Sequence, residues 1–124
     1  MSLTAIERWH DCINNKLVDT NALDESIAFY SPFVYKPIIG IVEVTKYLNA
    51  ANIIIANDAF KYTKELIGED TAFLSFETKI KEHYVNGIDF LTWNKDEKLT
   101  ELRVFIRPFK ALTTVGEMMA NHLR

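Results

Sequence analysis

Apolar residues recur with helical spacing at the start of the chain and predict an amphipathic helix from about Leu3 to Val18. The apolar stripe consists of Leu3, Ile6, His10, Ile13 and Leu17, with Trp9 and Cys12 beside it. The polar residues 19–21 then offer capping side chains for a short second helix that runs through Ile27. We therefore expect two helices before the first strand.

The segment Phe29–Pro37 is rich in aromatic and β-branched residues, and its two prolines predict a short edge strand followed by a turn. Gly40 is then expected to open a third helix, because apolar residues with helical spacing follow it. The buried stripe of that helix is predicted at Ile41, Val44, Leu48, Ala51 and Ile55.

From residue 59 onward the hydrophobic period changes to two, which is typical of strands. The predicted strands are Ala59–Ile67, Thr71–Ile80, His83–Asn94 and Leu99–Arg107. Short polar breaks separate them, so they should form an antiparallel meander. Pro108 ends the last strand, and a C-terminal helix is predicted from Leu112, Val115, Met119 and Leu123. Helices followed by a meander indicate one α+β domain over residues 1–124, with helices packed on one face of the sheet.

Two connections predict the strand register. A two-residue turn at Lys81–Glu82 places Leu74 opposite Asp89, and a four-residue loop at Lys95–Lys98 places Asp89 opposite Val104. One face then carries Ala72, Leu74, Phe76, Asp89, Leu91, Leu102, Val104 and Ile106. This face is apolar apart from one acid, and we expect it to be the concave face that meets the helices. A slip of one residue would exchange the two faces.

The opposite face of the predicted sheet carries four large apolar residues close together. They are Phe73, Ile88, Phe90 and Phe105. A monomer is expected to expose fewer such groups side by side. The pattern predicts a homodimer formed through this outer sheet face; the alternative is that the C-terminal helix covers the cluster.

Composition excludes several classes of function. The net charge is -3 and no basic stripe is present, which argues against nucleic-acid binding. The longest apolar run, Ile53–Ala56, is too short for a membrane span, and no signal peptide is visible, so we expect a cytoplasmic protein. The single cysteine, Cys12, cannot form an intrachain disulfide. Without a Cys/His cluster or a Gly-rich loop we expect no metal site, no nucleotide site and no cofactor.

Several segments of the chain resemble proteins of the NTF2-like superfamily. The matching segments are Ser31-Pro32 followed by Pro37 and Gly40, Val85–Trp93, Leu99–Pro108, and Arg107–Leu112 with Met118-Met119. The last of these resembles a group of small SnoaL-like proteins of unassigned function. The resemblance implies a cone, in which a curved antiparallel sheet surrounds a pocket, with N-terminal helices on the concave face and a C-terminal helix. It implies no single activity, because this fold serves many functions.

A more distant resemblance to ketosteroid isomerase can be followed residue by residue. Asp89 stands where that family has the protonated acid of its oxyanion hole. Ser31 stands where it has the catalytic base, and no tyrosine precedes Tyr30 to supply the oxyanion-hole hydroxyl of the first helix. Limonene epoxide hydrolase has an aspartate where this chain has Val104. Neither enzyme's full set of catalytic residues is present.

Asp89 is nonetheless the leading candidate for chemistry. Burial on an apolar face should raise the pKa of its carboxyl, which could then donate a hydrogen bond to an oxyanion or act as a base. His10 lies on the buried stripe of the first helix and is the candidate partner that shares a proton with Asp89. The alternatives are that Asp89 only bonds backbone groups and that His10 is a satisfied core residue.

Aromatic and aliphatic residues complete the predicted pocket. Trp9, Tyr30, Tyr35 and Tyr62 are candidates for its mouth, because each combines an apolar body with a polar tip. The apolar walls are expected from Leu74, Phe76, Leu91 and Val104. For any single aromatic residue, a place in the core is the competing interpretation.

Three functions are compatible with this sequence. The first is an enzyme that performs cofactor-independent acid/base chemistry on a small, mostly apolar substrate, such as isomerisation, dehydration or hydrolysis. The second is a non-catalytic module that binds such a molecule, with Asp89 fixing its orientation. The third is a homodimeric association domain whose interior is filled by side chains. A cavity that reaches Asp89 favours the first two, and a packed core with Asp89 bonded only to backbone favours the third.

Overall fold

The computed structural model describes residues 4–123, so Leu3 and the start predicted there for the first helix lie outside the described residues. The helices are α1 (Ala5–Asn14), α2 (Ile41–Ile54) and α3 (Phe109–Leu123). The strands are β1 (Leu23–Tyr30), β2 (Ile38–Ile39), β3 (Lys61–Ile67), β4 (Thr71–Ile80), β5 (His83–Trp93) and β6 (Leu99–Arg107).

The strands form one curved sheet in the order β2-β1-β6-β5-β4-β3. Strands β3 to β6 are the predicted antiparallel meander, whereas β1 runs parallel to β6, so the sheet as a whole is mixed. Leu74 pairs with Asp89, and Asp89 pairs with Val104, which confirms the predicted register. The α+β cone expected from the sequence is therefore confirmed.

The short second helix predicted through Ile27 is wrong. Asp19 caps only a single 3-10 turn over Thr20–Ala22, where its carboxylate accepts a hydrogen bond from the backbone N–H of Asn21 at 2.9 Å. The chain then enters β1 at Leu23, because pairing with β6 determines its conformation more strongly than the local capping signal does. Ile27 and Phe29, two residues apart, are both buried, as expected for a strand.

The strand predicted in the proline-containing segment is displaced. Strand β1 ends at Tyr30, residues 31–37 are irregular, and Ile38–Ile39 pairs with β1 at the sheet edge. Gly40 caps α2 with φ of 98°, a conformation that L side chains rarely adopt, so the predicted start of this helix is confirmed and has a backbone reason.

Helix α1 is fixed at its N-terminus by two sets of contacts. The side chains of Thr4 and Glu7 form a capping box, and the Ala5 N–H donates to Glu97 Oε2 at 2.8 Å. The second contact links the start of α1 to the β5–β6 loop and so helps to position Trp9 and His10 over the sheet. The helix ends at Asn14, earlier than the predicted Val18.

Helix α3 packs on the concave side, where its buried residues meet those of α2, β4 and β5. Its contacting residues are Ala111, Val115 and Met119, and they form a cluster with Ala50, Ile54, Phe76, Ile80 and Val85. The alternative that α3 covers the outer phenylalanines is therefore wrong: Phe73 and Phe105 are 41% and 54% exposed. None of the helices within residues 4–123 is long and apolar enough to cross a membrane.

Candidate functional site

A cavity lies between the concave face of the sheet and the three helices. Its walls include Trp9 and Ile13 from α1, Leu48, Ala51 and Asn52 from α2, Phe76, Asp89 and Val104 from the sheet, and Met119 from α3. The cavity volume that is open to the centre of a water molecule is about 50 Å³. The walls are almost entirely apolar; Ser31, Asn52 and Asp89 supply the polar side chains, beside the indole of Trp9.

Asp89 sits in the middle of β5, between Leu74 on β4 and Val104 on β6, and is 6% exposed. Burial raises the pKa of its carboxyl from 3.8 to about 7. The hydrogen bond from Tyr62, and to a smaller extent the nearby indole N–H of Trp9, favours the ionised form and lowers the pKa, but the effect of burial is larger. The carboxyl therefore titrates near neutral pH, where it can hold or release a proton.

Tyr62 and Trp9 orient this carboxyl from one side. The Trp9 indole N–H donates to the Tyr62 hydroxyl oxygen at 2.8 Å, and the Tyr62 O–H donates to Asp89 Oδ2 at 2.7 Å. Burial and the neighbouring Asp89 raise the pKa of Tyr62 well above its ordinary value, so the hydroxyl stays protonated and remains a donor. This contact uses Oδ2 of Asp89 rather than Oδ1.

His10 does not share a proton with Asp89. Its Nε2 pairs with the carboxylate of Glu65 on β3, and its ring meets the Tyr62 ring edge to face with centroids 5.4 Å apart. The physical reason is the position of β3 at the sheet edge, which brings Glu65 under the exposed side of α1. His10 therefore packs against the Tyr62 ring and pairs with Glu65, and it makes no direct contact with the Asp89 carboxyl.

Ser31, the residue at the position of the isomerase's base, also lines the cavity. Its hydroxyl oxygen accepts a hydrogen bond from the backbone N–H of Phe33 at 3.0 Å, which shapes the start of the irregular segment. Ser31 therefore brings a hydroxyl and no carboxylate to this position, and within residues 4–123 Asp89 is the only carboxyl at the cavity wall.

The structure separates the predicted pocket residues into three groups. Trp9, Phe76 and Val104 line the cavity, and Tyr62 adjoins it through Asp89. Leu74 and Leu91 are fully buried in the neighbouring core cluster instead of the cavity wall, because the helices cover that part of the sheet closely.

Two predicted mouth residues lie elsewhere. The ring of Tyr30 faces Arg103, whose guanidinium carbon lies 3.8 Å from the ring centroid. Tyr35 is 99% exposed, because the segment between the two prolines leaves the sheet before this residue. Neither residue contributes to the cavity wall.

Several wall residues were not predicted from the sequence. Asn52 is 4% exposed and follows Leu48 by four positions, so the helical stripe already placed it on the buried side of α2. Phe33 reaches the wall from the irregular segment 31–37, Phe60 from the residue before β3, and Met119 from α3. No local sequence pattern connects these three residues. The chain brings together no group of three or more His, Cys, Asp or Glu side chains that could hold a metal ion within its described part.

Comparison with known proteins places the fold. No protein-family model matches the sequence. No curated protein matches it either. Among solved structures, a steroid delta-isomerase from Pseudomonas aeruginosa is 26% identical, with 96% of this chain and 88% of that chain covered and a TM-score of 0.89.

Two further structures share less sequence. An NTF2-like protein of unknown function from Cytophaga hutchinsonii is 15% identical, covers 90% of this chain and 96% of its own, and has a TM-score of 0.66. A protein described as a SnoaL-like polyketide cyclase from Jannaschia is 8% identical, covers 90% and 91%, and has a TM-score of 0.73. The chain has the NTF2-like fold, which confirms the resemblance to NTF2-like and SnoaL-like proteins.

Proposed function

We propose that this protein, which has the NTF2-like fold, binds a small and mostly apolar molecule in the cavity at Asp89. In this proposal the carboxyl of Asp89 makes the principal polar contact with that molecule. The observation that supports it is a buried carboxyl at an apolar cavity wall, held through Oδ2 by the Tyr62 hydroxyl at 2.7 Å. A few convergent polar groups in an apolar cavity are typical of small-molecule sites.

The protonation of Asp89 suits a ligand that carries an oxygen. With its pKa at about 7, the carboxyl is available both as a neutral donor and as an ionised acceptor near neutral pH. A carbonyl oxygen would accept a hydrogen bond from the neutral form, and a hydroxyl group would donate one to the ionised form. Ligands that are themselves anions are disfavoured, because the described wall residues include no cation to compensate the charge.

The size of the cavity limits the ligand. A cavity needs roughly 10–15 Å³ of space of this kind to hold one water, so the 50 Å³ at Asp89 corresponds to only a few water-sized groups. A one-ring or short-chain molecule is consistent with this volume. A larger skeleton would require the segment around Phe33 to move away from Gly116, against which its ring packs.

A thermal-shift screen tests the proposal. The wild type is heated with small ketones, phenols, alcohols and epoxides beside the variants Asp89→Ala and Asp70→Asn; Asp70 is an exposed acid in a loop. A ligand that binds only the folded state raises the melting temperature. We expect one class to stabilise the wild type and Asp70→Asn but not Asp89→Ala. Equal stabilisation of Asp89→Ala would remove Asp89 from the site.

A second candidate function is proton-transfer catalysis on the bound molecule, of the isomerase, dehydratase or hydrolase type. It is supported by the near-neutral pKa of Asp89 and by the similarity to a structure named as a steroid delta-isomerase. Because Ser31 replaces the carboxylate base, Asp89 would have to act as the single acid or base. Asp89→Asn keeps the shape and removes the titration, so it should retain binding and abolish turnover of any substrate found by the screen. Full turnover in that variant would rule out Asp89 as the acid or base.

We also propose that two copies of the chain associate through the outer sheet face. The Phe73 and Phe90 rings stack there with centroids 4.2 Å apart, and Phe105 remains exposed beside them. A second copy related by two-fold symmetry would cover these apolar rings with the same face of its own sheet. This association would leave the cavity on the opposite face free.

A further inference from the structure

Asn52 is a buried polar residue whose side chain is not satisfied by the fold. It lies on α2 at the cavity wall and is 4% exposed. Its Nδ2 is buried, and no acceptor within residues 4–123 bonds it. Most buried side-chain nitrogens in proteins have a partner, so this exception calls for one from outside the chain.

The surroundings of Asn52 strengthen this argument. The neighbouring residues of α2 at the wall are Leu48, Ala51 and Ile55, which are apolar. An aliphatic residue could pack at this position without needing a hydrogen bond, as Leu48 does one turn before and Ile55 one turn after. The carboxamide is also adjustable, because the χ2 torsion of asparagine has a broad distribution. Rotation about that bond can direct the N–H₂ group towards a molecule in the cavity.

We propose that the Asn52 carboxamide is a second polar contact for the bound molecule, and that this molecule therefore carries a hydrogen-bond acceptor, such as a carbonyl oxygen, on the side of α2. The inference rests on the proposed function, since it names a residue and a ligand class for the same cavity. The inference also narrows the ligand class, because Asp89 alone would accept a simple alcohol. With Asn52, the favoured ligands are apolar molecules with a ketone, ester or amide oxygen.

The first test needs no ligand. Asn52→Leu replaces the carboxamide with an apolar group of similar shape, so the ligand-free variant should melt a few degrees above the wild type. Asn49→Leu is the matched control on the same helix, because Asn49 Oδ1 accepts a hydrogen bond from the Val18 N–H at 3.3 Å. That control should melt below the wild type. If Asn52→Leu also melts below the wild type, its carboxamide is a structural group and the inference is overturned.

The second test follows the Asn52 side chain directly. Its N–H₂ signals in a ¹H–¹⁵N spectrum are assigned by their loss in Asn52→Leu, and cyclohexanone is compared with methylenecyclohexane, which has the same shape without the oxygen. In the wild type we expect the ketone to shift these signals and the hydrocarbon to leave them unchanged. We also expect Asn52→Leu to lose the preference for the ketone.

The outcomes separate this inference from the proposed function. If both probes raise the melting temperature of wild type and Asn52→Leu equally, the cavity binds small molecules and the role of Asn52 is refuted. If neither probe changes the wild type by melting temperature or by spectrum, the proposed function fails for this ligand class, and the inference falls with it.

Discussion

The Tyr62 hydroxyl donates to Asp89 Oδ2 across 2.7 Å, although β4 separates the strands that carry the two residues. The contact is possible because the sheet is curved and the side chains of both residues project into its concave side. It opposes the effect of burial on the carboxyl without cancelling it. The pH dependence of the protein's stability should therefore be determined by this pair.

Asp89 should make the folded protein less stable as the pH rises. The pKa is about 7 in the folded state and 3.8 for an ordinary aspartate, so between these limits the folded chain holds a proton that the unfolded chain has released. This contribution to stability is complete below about pH 4, falls as the pH rises and is lost above about pH 7. Its full size is about 4 kcal/mol, because one pH unit of pKa corresponds to about 1.36 kcal/mol.

Urea unfolding of Asp89→Asn at about pH 5 and about pH 8 measures this effect. The variant cannot ionise at this position, so it should lose most of the difference in the free energy of unfolding that the wild type has between the two conditions. Asp70→Asn removes an exposed acid and should keep the difference. An unchanged difference in Asp89→Asn would mean that the carboxyl has an ordinary pKa.

Replacing Tyr62 with phenylalanine should raise the pKa of Asp89 further. The variant removes a hydrogen bond that favours the carboxylate, and a hydrogen bond to a charged group is worth about 1.5–3 kcal/mol, so an increase of roughly one pH unit or more is expected. A carbon-detected NMR titration of the Asp89 carboxyl measures it. Tyr84→Phe is the control, because Tyr84 donates to Glu77 on the exposed side of the sheet. A lower pKa in Tyr62→Phe would contradict the arrangement described above.

Gly87 provides a test of how the sheet shapes the cavity. It pairs with Phe76, and a Cβ placed at residue 87 would overlap the Phe76 ring and lie 2.6 Å from the Phe105 carbonyl oxygen. Gly87→Ala should therefore lower the free energy of unfolding by roughly 1–3 kcal/mol and displace a wall residue of the cavity. Gly68→Ala, whose nearest atoms would be 3.3 and 3.4 Å away, should change stability much less. Equal stability of the two variants in urea would show that Phe76 can move freely.

The order and register of the meander could be predicted because the sequence signals that specify them are local. Alternating apolar residues define each strand, and two short connections define which residues face each other, so the pairing of Leu74 with Asp89 followed directly. The parallel pairing of β1 with β6 joins segments far apart in the chain, and no local signal specifies it. Capping residues before Leu23 indicated a helix, and the long-range pairing prevailed.

The candidate site was predictable only where it lies on the regular strands and helices. Asp89, Phe76 and Val104 followed from the strand alternation, and Trp9 from the first helix. Tyr35 was misplaced because two prolines direct its segment away from the sheet. The Glu65 partner of His10 depends on how far α1 reaches across the sheet edge, which is a property of tertiary packing.

The outer sheet face should make the protein a dimer in solution. Phe73 and Phe105 are 41% and 54% exposed on this face, whereas Val42, which is 80% exposed, lies on α2 at the other side of the sheet. Light scattering at micromolar concentration should give twice the mass of one chain for the wild type. Phe105→Glu should give the monomer mass, because association would then bury an unpaired charge in an apolar interface. Val42→Glu introduces the same charge away from that face and should remain dimeric. A wild type with the mass of one chain would refute the proposed association, and the exposed phenylalanines would then need another partner.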